Sequence, residues 1–146
     1  MSAAPHLPPP LQRAPRGAST ALIFDDSASM RALLKLALRT AGVAVVAEAG
    51  TGAQAQELYA QHLPSLVLMD IVLPGADGVK VATELLRAHP EAQVVMCSSL
   101  TTRERIVACR DAGVAHFILK PFTVEKVAEV ARTVLARQAA LSGSAA

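Results

Sequence analysis

Three short apolar runs that each end in a charged residue constrain most strongly how this chain can fold. The runs and the residues that follow them are 21–24 with Asp25 and Asp26, 66–69 with Asp70, and 117–119 with Lys120. Short apolar runs bounded by turn residues are typical of buried strands in a parallel sheet. Because ligands bind beyond the carboxyl ends of such strands, we expect three carboxylates and one ammonium to converge on one crevice. Such a group suits a divalent cation beside an acidic nucleophile, with a lysine to hold an anion.

From Thr20 onward the chain alternates strand patterns with helix patterns. The predicted strands are 21–24, 43–47, 65–69, 94–97 and 116–119. Ser27 is a candidate N-cap for the first helix and Gly42 is placed to end it. The next helices are predicted over 53–62 and 77–89, then up to 112 with Thr101 or Thr102 as the N-cap, and finally beyond Thr123, which is the candidate N-cap of the last helix. Five strand–helix units with short links predict right-handed crossovers and a parallel sheet covered on both faces.

The composition is that of one α/β domain between two short tails. Residues 1–19 hold five of the nine prolines and predict a disordered tail, residues 20–139 predict the domain, and residues 140–146 predict a flexible end. Apart from Arg13 and Arg16 the chain carries 12 basic and 12 acidic residues, and we expect no nucleic-acid partner. No apolar stretch approaches the roughly 18 residues that span a membrane. Cys97 and Cys109 are expected to be free thiols, so we predict a cytoplasmic protein.

Motifs at the ends of the predicted strands together resemble the receiver domain of two-component response regulators, over roughly residues 20 to 139. They are Asp25-Asp26 leading into Ser27, Asp70 within the segment 70–78, Ser98 after the fourth strand, and Lys120-Pro121-Phe122 after the fifth. The resemblance implies an α/β fold of the flavodoxin-like, CheY-like class. In that class five strand–helix units form a doubly wound parallel sheet of order 2-1-3-4-5.

The resemblance also implies a phosphoacceptor and a set of metal ligands. Asp70 would accept a phosphoryl group from a histidine kinase or phosphotransfer protein. Asp26 and Asp70 would bind Mg²⁺ directly together with the backbone carbonyl of Val72, and Asp25 would act largely through a bound water. These roles agree with general chemistry, since Mg²⁺ prefers oxygen ligands and a carboxylate can form a covalent phosphoryl intermediate.

The remaining roles implied by the resemblance lie on the last two strands. Ser98 and Lys120 would contact the phosphoryl oxygens, and Phe117 occupies the position of the family's switch aromatic. The Lys120–Pro121 bond is expected to be cis. Val72 and Leu100 occupy positions that influence hydrolysis of the phosphoryl group, and both are apolar here.

The function implied by this resemblance is a signalling switch that catalyses only its own phosphorylation and dephosphorylation. Phosphorylation would change a protein surface on the fourth helix, the fifth strand and the fifth helix. Arg103, Arg105 and Lys126 lie on that surface and would meet an acidic partner. The downstream partner would be a flagellar motor or a phosphorelay component, and the sequence does not choose between them.

Two other interpretations stay open on the sequence. Gly50-Thr51-Gly52-Ala53-Gln54-Ala55 fits the dinucleotide-binding pattern G-x-G-x-x-A, and Asp70 follows about 20 residues later, as that pattern requires. That interpretation leaves the acid pair, Ser98 and Lys120 unexplained, and the same stretch fits the loop after the second strand of receivers. The other alternative is a pseudo-receiver, an interaction module without phosphoryl chemistry.

Overall fold

Five parallel strands form the central sheet of the computed structural model, which describes residues 18–99 and 102–143. In chain order the strands are β1 Thr20–Phe24, β2 Ala44–Ala49, β3 Leu66–Met69, β4 Val72–Leu73, β5 Ala76–Asp77, β6 Val94–Ser98 and β7 His116–Leu119. The sheet has the order β2-β1-β3-β6-β7, which is 2-1-3-4-5 when its own strands are counted. The predicted doubly wound fold is therefore confirmed. The antiparallel pair β4–β5 was not predicted.

Five helices lie in the described residues, and three of the predicted N-caps are confirmed. The helices are α1 Ala28–Thr40, α2 Ala55–His62, α3 Gly78–Ala88, α4 Arg103–Ala112 and α5 Val124–Gly143. The hydroxyl oxygen of Ser27 accepts from the Met30 N–H at 3.2 Å, which caps α1. Thr102 caps α4 and Thr123 caps α5 in the same way. Thr101, the other candidate cap for α4, lies outside the described residues.

Element boundaries depart from the prediction where the chain makes local hydrogen bonds. Strand β2 begins after Val43, because the Val43 N–H donates to the Leu38 carbonyl at 2.8 Å and closes the end of α1. Helix α2 begins at Ala55, two residues later than predicted. Helix α5 runs to Gly143, so residues 140–143 are helical where a flexible end was predicted. Residues 1–17 and 144–146 lie outside the described part, and the predicted tails are untested there.

The core has two apolar layers, one on each face of the sheet. Alternate residues of β1 point into them: Leu22 and Phe24 face one layer, and Ala21 and Ile23 face the other. The first layer is covered by α2, α3 and α4, and the second by α1 and α5. Cys97 and Cys109 are buried free thiols, as expected. Within the described ranges, no helix combines the length and the apolar content needed to cross a membrane.

Candidate functional site

Three carboxylates meet beyond the carboxyl ends of β1 and β3, which are neighbours in the sheet. One oxygen from each of Asp25, Asp26 and Asp70 lies within 4.8 Å of the others. Asp25 and Asp70 are buried, with 1% and 7% of their surfaces exposed, whereas Asp26 is exposed. The structure thus brings together the acids that the sequence analysis selected, at the point where the strand order reverses.

Backbone hydrogen bonds orient the two buried acids. The Asp25 N–H donates to the Ala49 carbonyl at 3.1 Å, and the Asp25 Oδ1 accepts from the Ser27 N–H at 2.9 Å. The Asp70 N–H donates to the Phe24 carbonyl at 2.9 Å. The Asp70 Oδ1 accepts from the Val72 N–H at 3.1 Å. Each acid is therefore fixed by its own loop and by a neighbouring strand.

Lys120 bridges the buried acids from the end of β7. Its Nζ donates to Asp25 Oδ2 at 2.9 Å and to Asp70 Oδ2 at 2.8 Å. Burial alone would lower the pKa of Lys120, but the bonds to Asp70 and Asp25 outweigh it and raise that pKa above its usual value. The Lys120–Pro121 peptide bond is cis, as the resemblance implied.

The donor set of the crevice fits Mg²⁺. Three carboxylates face one ammonium, so the cluster keeps a negative charge that a divalent cation would offset. Its donors are carboxylate oxygens, and Mg²⁺ is usually held by one or two carboxylates with waters and phosphate oxygens. Val72 follows Asp70 closely and opens β4, and its carbonyl as a further ligand stays a prediction.

The two residues assigned to a switch lie on adjacent strands. Ser98 ends β6 with 1% of its surface exposed, and its backbone carbonyl accepts from the Lys120 N–H at 3.0 Å. Phe117 lies on β7 opposite Met96 and is half-buried against the layer of α2, α3 and α4. Their switching role stays a prediction. Leu100, expected to influence hydrolysis, lies outside the described residues.

Gly78 is required by the packing of the acidic loop, although the sequence analysis gave it no role. A Cβ atom there would clash with the Asp70 carbonyl oxygen. The Gly78 N–H donates to the Ile71 carbonyl at 2.6 Å, which closes the loop that contains β4 and β5. The first residue of α3 can approach the backbone of Asp70 this closely because it has no side chain.

Two arginines have contacts that the sequence analysis did not anticipate. The Arg105 Nη1 lies 2.6 Å from the Asp77 Oδ2, so this residue, expected to meet a partner, is already paired within the chain. Arg31 donates to the backbone carbonyl of Asp25 and to the carboxylate of Glu48. The spacing of Arg31 and Lys35, one helical turn apart, was the available signal for a basic face on α1 opposite Glu48.

The loop that fits the dinucleotide pattern is explained by packing. A Cβ atom on Gly52 would lie 2.9 Å from Val81 Cγ2. The glycine therefore leaves the space that the Val81 side chain of α3 occupies. The loop follows β2, an edge strand, whereas dinucleotides bind at the point of strand reversal, here between β1 and β3. Asp70 occupies that point together with Lys120.

The fold and the crevice define a doubly wound α/β protein with an acidic, lysine-bridged site at its switch point. The chain belongs to the response regulator receiver domain family, whose family model matches residues 21–132. It is 42% identical over 108 residues to the chemotaxis protein CheY of Bacillus subtilis (strain 168), across 74% of this chain and 90% of that protein. Thermotoga maritima CheY is 36% identical over 108 residues, with the same shares covered. The family comprises two-component signalling switches rather than metabolic enzymes.

Solved structures agree with this assignment. The CheX-CheY-BeF3-Mg complex from Borrelia burgdorferi matches with a TM-score of 0.75 and 27% identity, across 80% of this chain and 88% of that chain. The signal receiver domain of the response regulator NarL from Mycobacterium tuberculosis matches with a TM-score of 0.74 and 27% identity, across 82% and 97%. A CheY-like receiver from Methanospirillum hungatei JF-1 has a TM-score of 0.78 at 24% identity over 84% and 97%, which supports the fold alone.

Proposed function

We propose that this protein is a response regulator that accepts a phosphoryl group on Asp70 from a histidine kinase or a phosphotransfer protein. The observation that carries the proposal is the double restraint on the Asp70 carboxylate. Its Oδ2 lies 2.8 Å from Lys120 Nζ, and its Oδ1 accepts from the Val72 N–H. Its side chain is 9% exposed, against 1% for Asp25, so Asp70 is the more accessible of the two buried acids.

The proposed reaction is an in-line displacement at phosphorus. A carboxylate oxygen of Asp70 attacks the phosphorus atom and forms an O–P bond. The P–N bond to the kinase histidine breaks, and its electron pair stays on the imidazole nitrogen. Lys120, already within hydrogen-bond distance of Asp70, would offset negative charge on the phosphoryl oxygens, and the Ser98 hydroxyl would contact them.

The residues that would hold Mg²⁺ are Asp25, Asp26 and Asp70, with the carbonyl oxygen of Val72. When bound, the ion would neutralise charge shared by the acids and the phosphoryl group. Asp25 already accepts from the Ser27 N–H and from Lys120, whereas Asp26 is exposed on the same loop. This difference supports a larger direct contribution from Asp26.

The phosphoacceptor assignment is tested by labelling with acetyl phosphate and Mg²⁺. Intact-protein mass spectrometry should show one added phosphoryl group on the wild type and none on Asp70→Asn. Asp77→Asn is the matched control, because Asp77 lies in the same segment but caps α3 and is exposed. Undiminished labelling of Asp70→Asn would move the acceptor elsewhere. A wild type that accepts no label would favour the pseudo-receiver alternative.

The metal assignment is tested by a Mg²⁺ titration in which amide NMR shifts report binding. Asp26→Ala should lose most of the affinity, a factor of at least about ten, since it removes a charged direct ligand. Asp25→Ala should lose less. Asp111→Ala is the control, because its carboxylate is 70% exposed at the end of α4. If Asp26→Ala binds Mg²⁺ as the wild type does, the proposed ligand set is wrong.

The output would be a protein surface of α4, β7 and α5 that changes on phosphorylation. CheY-type receivers interact with kinases and with downstream targets, and the structure from Borrelia burgdorferi pairs CheY with CheX. The similarity to proteins named for chemotaxis supports an output in chemotaxis over another phosphorelay. Two free thiols, Cys97 and Cys109, support a reducing, cytoplasmic location.

A further inference from the structure

We propose that Arg31 is a positioning residue for the proposed Mg²⁺ site, because it fixes the peptide that joins Asp25 to Asp26. This inference rests on the proposed Mg²⁺ binding and goes beyond it by assigning a role to a residue outside the ligand set. Arg31 Nη1 donates to the backbone carbonyl of Asp25 at 2.5 Å. That carbonyl belongs to the peptide group that sets the direction of the next residue, Asp26.

The other end of the guanidinium is anchored in the sheet. Arg31 Nε donates to Glu48 Oε1 at 3.1 Å, and Glu48 lies on β2. Arg31 and Glu48 have side-chain exposures of 18% and 19%, so the contact is largely shielded from water. A planar guanidinium with several fixed donors can hold two acceptors at once in a defined geometry. Arg31 therefore ties the acidic loop to the neighbouring strand.

Glu48 is suited to remain an anionic anchor. Lys35 Nζ lies 2.8 Å from Glu48 Oε2 as an ion pair, one helical turn beyond Arg31. Burial alone would raise the pKa of Glu48, but the contacts with Lys35 and Arg31 outweigh it and lower that pKa. The carboxylate therefore stays charged at neutral pH and keeps the guanidinium in place.

The guanidinium of Arg31 lies next to the loop that follows β2. A Cβ atom on Gly50 would lie 3.5 Å from Arg31 Nη1 and 3.9 Å from Asp26 Cα. The guanidinium therefore lies beside the backbone of Gly50 and close to Asp26. Asp26 is exposed, so the direction of its carboxylate depends on how firmly its backbone is held.

The positive charge of Arg31 and its proposed positioning role have opposite expected effects on the affinity for Mg²⁺. A positive charge near a cation site disfavours the cation by Coulomb repulsion, so loss of the charge alone would tighten binding. Loss of the positioning bond would leave the exposed Asp26 less ordered and would weaken binding. Groups that orient metal ligands typically contribute about tenfold to a hundredfold to metal affinity. Weaker Mg²⁺ binding after substitution of Arg31 would therefore indicate positioning, and tighter binding would indicate charge repulsion alone.

The test is Mg²⁺ titration of the full chain and of three variants, followed by amide NMR shifts at neutral pH. Arg31→Met should weaken Mg²⁺ binding about tenfold. Arg31→Lys keeps the charge but not the two-way contact, and it should also weaken binding. Lys35→Met is the matched control, because the ion pair of Lys35 with Glu48 involves the same anchor, whereas the hydrogen bond to the Asp25 carbonyl comes from Arg31. Its affinity should stay within about twofold of the wild type or increase slightly.

A second readout is independent of the metal. Without Mg²⁺, the amide signals of Asp26 and Ser27 should shift or broaden in both Arg31 variants and stay in place in Lys35→Met. Equal or tighter binding by Arg31→Lys, with unchanged loop signals, would overturn the positioning role alone. Failure of the wild type to bind Mg²⁺ would instead overturn the proposed metal site, and this inference with it. Should Arg31→Met not fold, Arg31→Lys decides between the two roles.

Discussion

Lys120 is protonated between two buried carboxylates, and this gives the crevice a defined response to alkaline pH. Burial opposes the charged form, but the bonds to Asp70 and Asp25 outweigh burial and raise the pKa of Lys120 in the folded state. A raised pKa means that the folded protein holds the proton more tightly than the unfolded chain does. The resulting stability is fully present below the pKa of an unfolded lysine, about 10.4, and is lost as pH rises through the folded value.

We expect the free energy of unfolding of the wild type to fall more steeply above about pH 10.5 than that of Lys120→Met. Urea denaturation between neutral pH and pH 11 measures this difference. Lys80→Met is the control, because Lys80 is exposed on α3 and should leave the wild-type slope intact. Tyr59, whose pKa is raised by burial and by the charge of Glu91, should contribute equally to all three slopes. Equal slopes for the wild type and Lys120→Met would contradict the bridging role.

The residues that follow apolar runs could be predicted from the sequence, and the residues that support them could not. Asp25, Asp70 and Lys120 each follow a run that ends at the carboxyl edge of the sheet, and this edge is fixed by the parallel order alone. Arg31 and Gly78 act through contacts with backbone atoms of other residues, and these contacts form only when the chain folds. No local pattern in the sequence shows which carbonyl oxygen such a residue will approach.

Helix α4 has one fully buried residue, and an ion pair joins it to α3. Cys109 is its fully buried residue, and Ile106 and Val107 are 42% and 36% exposed. The pair Arg105–Asp77 joins its first turn to the N-cap of α3. With side chains 41% and 42% exposed, such a pair contributes at most about 1 kcal/mol and is screened by salt. That amount suffices to change local opening of a lightly packed helix.

We expect Arg105→Met to accelerate amide exchange in α4 several-fold at low salt, with little change in the overall unfolding midpoint. Added salt should produce the same effect in the wild type. Arg110→Met is the matched control on the same helix, because the Arg110 side chain is 77% exposed and forms its ion pair with its own neighbour, Asp111, at 3.9 Å. Hydrogen-exchange NMR measures both variants. The same protection in Arg105→Met as in Arg110→Met would show that the ion pair does not restrain α4.

Elements with strong periodic patterns were predictable, whereas the short hairpin was not. The five strands of the sheet and the five helices follow from apolar runs, caps and helical spacing. The pair β4–β5 has two residues in each strand, too few to show alternation. It forms because Gly75 adopts a φ of +70° and Gly78 lets α3 start against the backbone of Asp70. Neither requirement can be inferred from residue periodicity.

Over the whole molecule, the acidic crevice and the proposed output surface share two adjacent strands. Ser98 on β6 pairs in register with Leu119 on β7. The next residue, Lys120, donates its backbone N–H to the Ser98 carbonyl. Phe117 lies on β7 two residues before Leu119. It is half-buried beside a groove that is also lined by Phe122 and Lys126. A displacement of Ser98 toward a phosphoryl group would therefore act within one pair of strands on the ring of Phe117. Because packed interiors favour discrete arrangements, a small shift can select a second position for that ring.

We expect beryllofluoride with Mg²⁺ to move the Phe117 ring inward and to change its NMR signals strongly. Phe122 is the internal control, because it lines the same groove but packs against the layer of α1 and α5 and should shift less. In Ser98→Ala, which removes the hydroxyl, beryllofluoride should still bind while the Phe117 response diminishes several-fold. That pattern would separate binding at the crevice from its transmission to the surface. The amide signals around Asp70 report binding, and the signals of the Phe117 ring report transmission. An unchanged Phe117 in the wild type, with beryllofluoride bound at Asp70, would contradict the switch while leaving the phosphoacceptor intact.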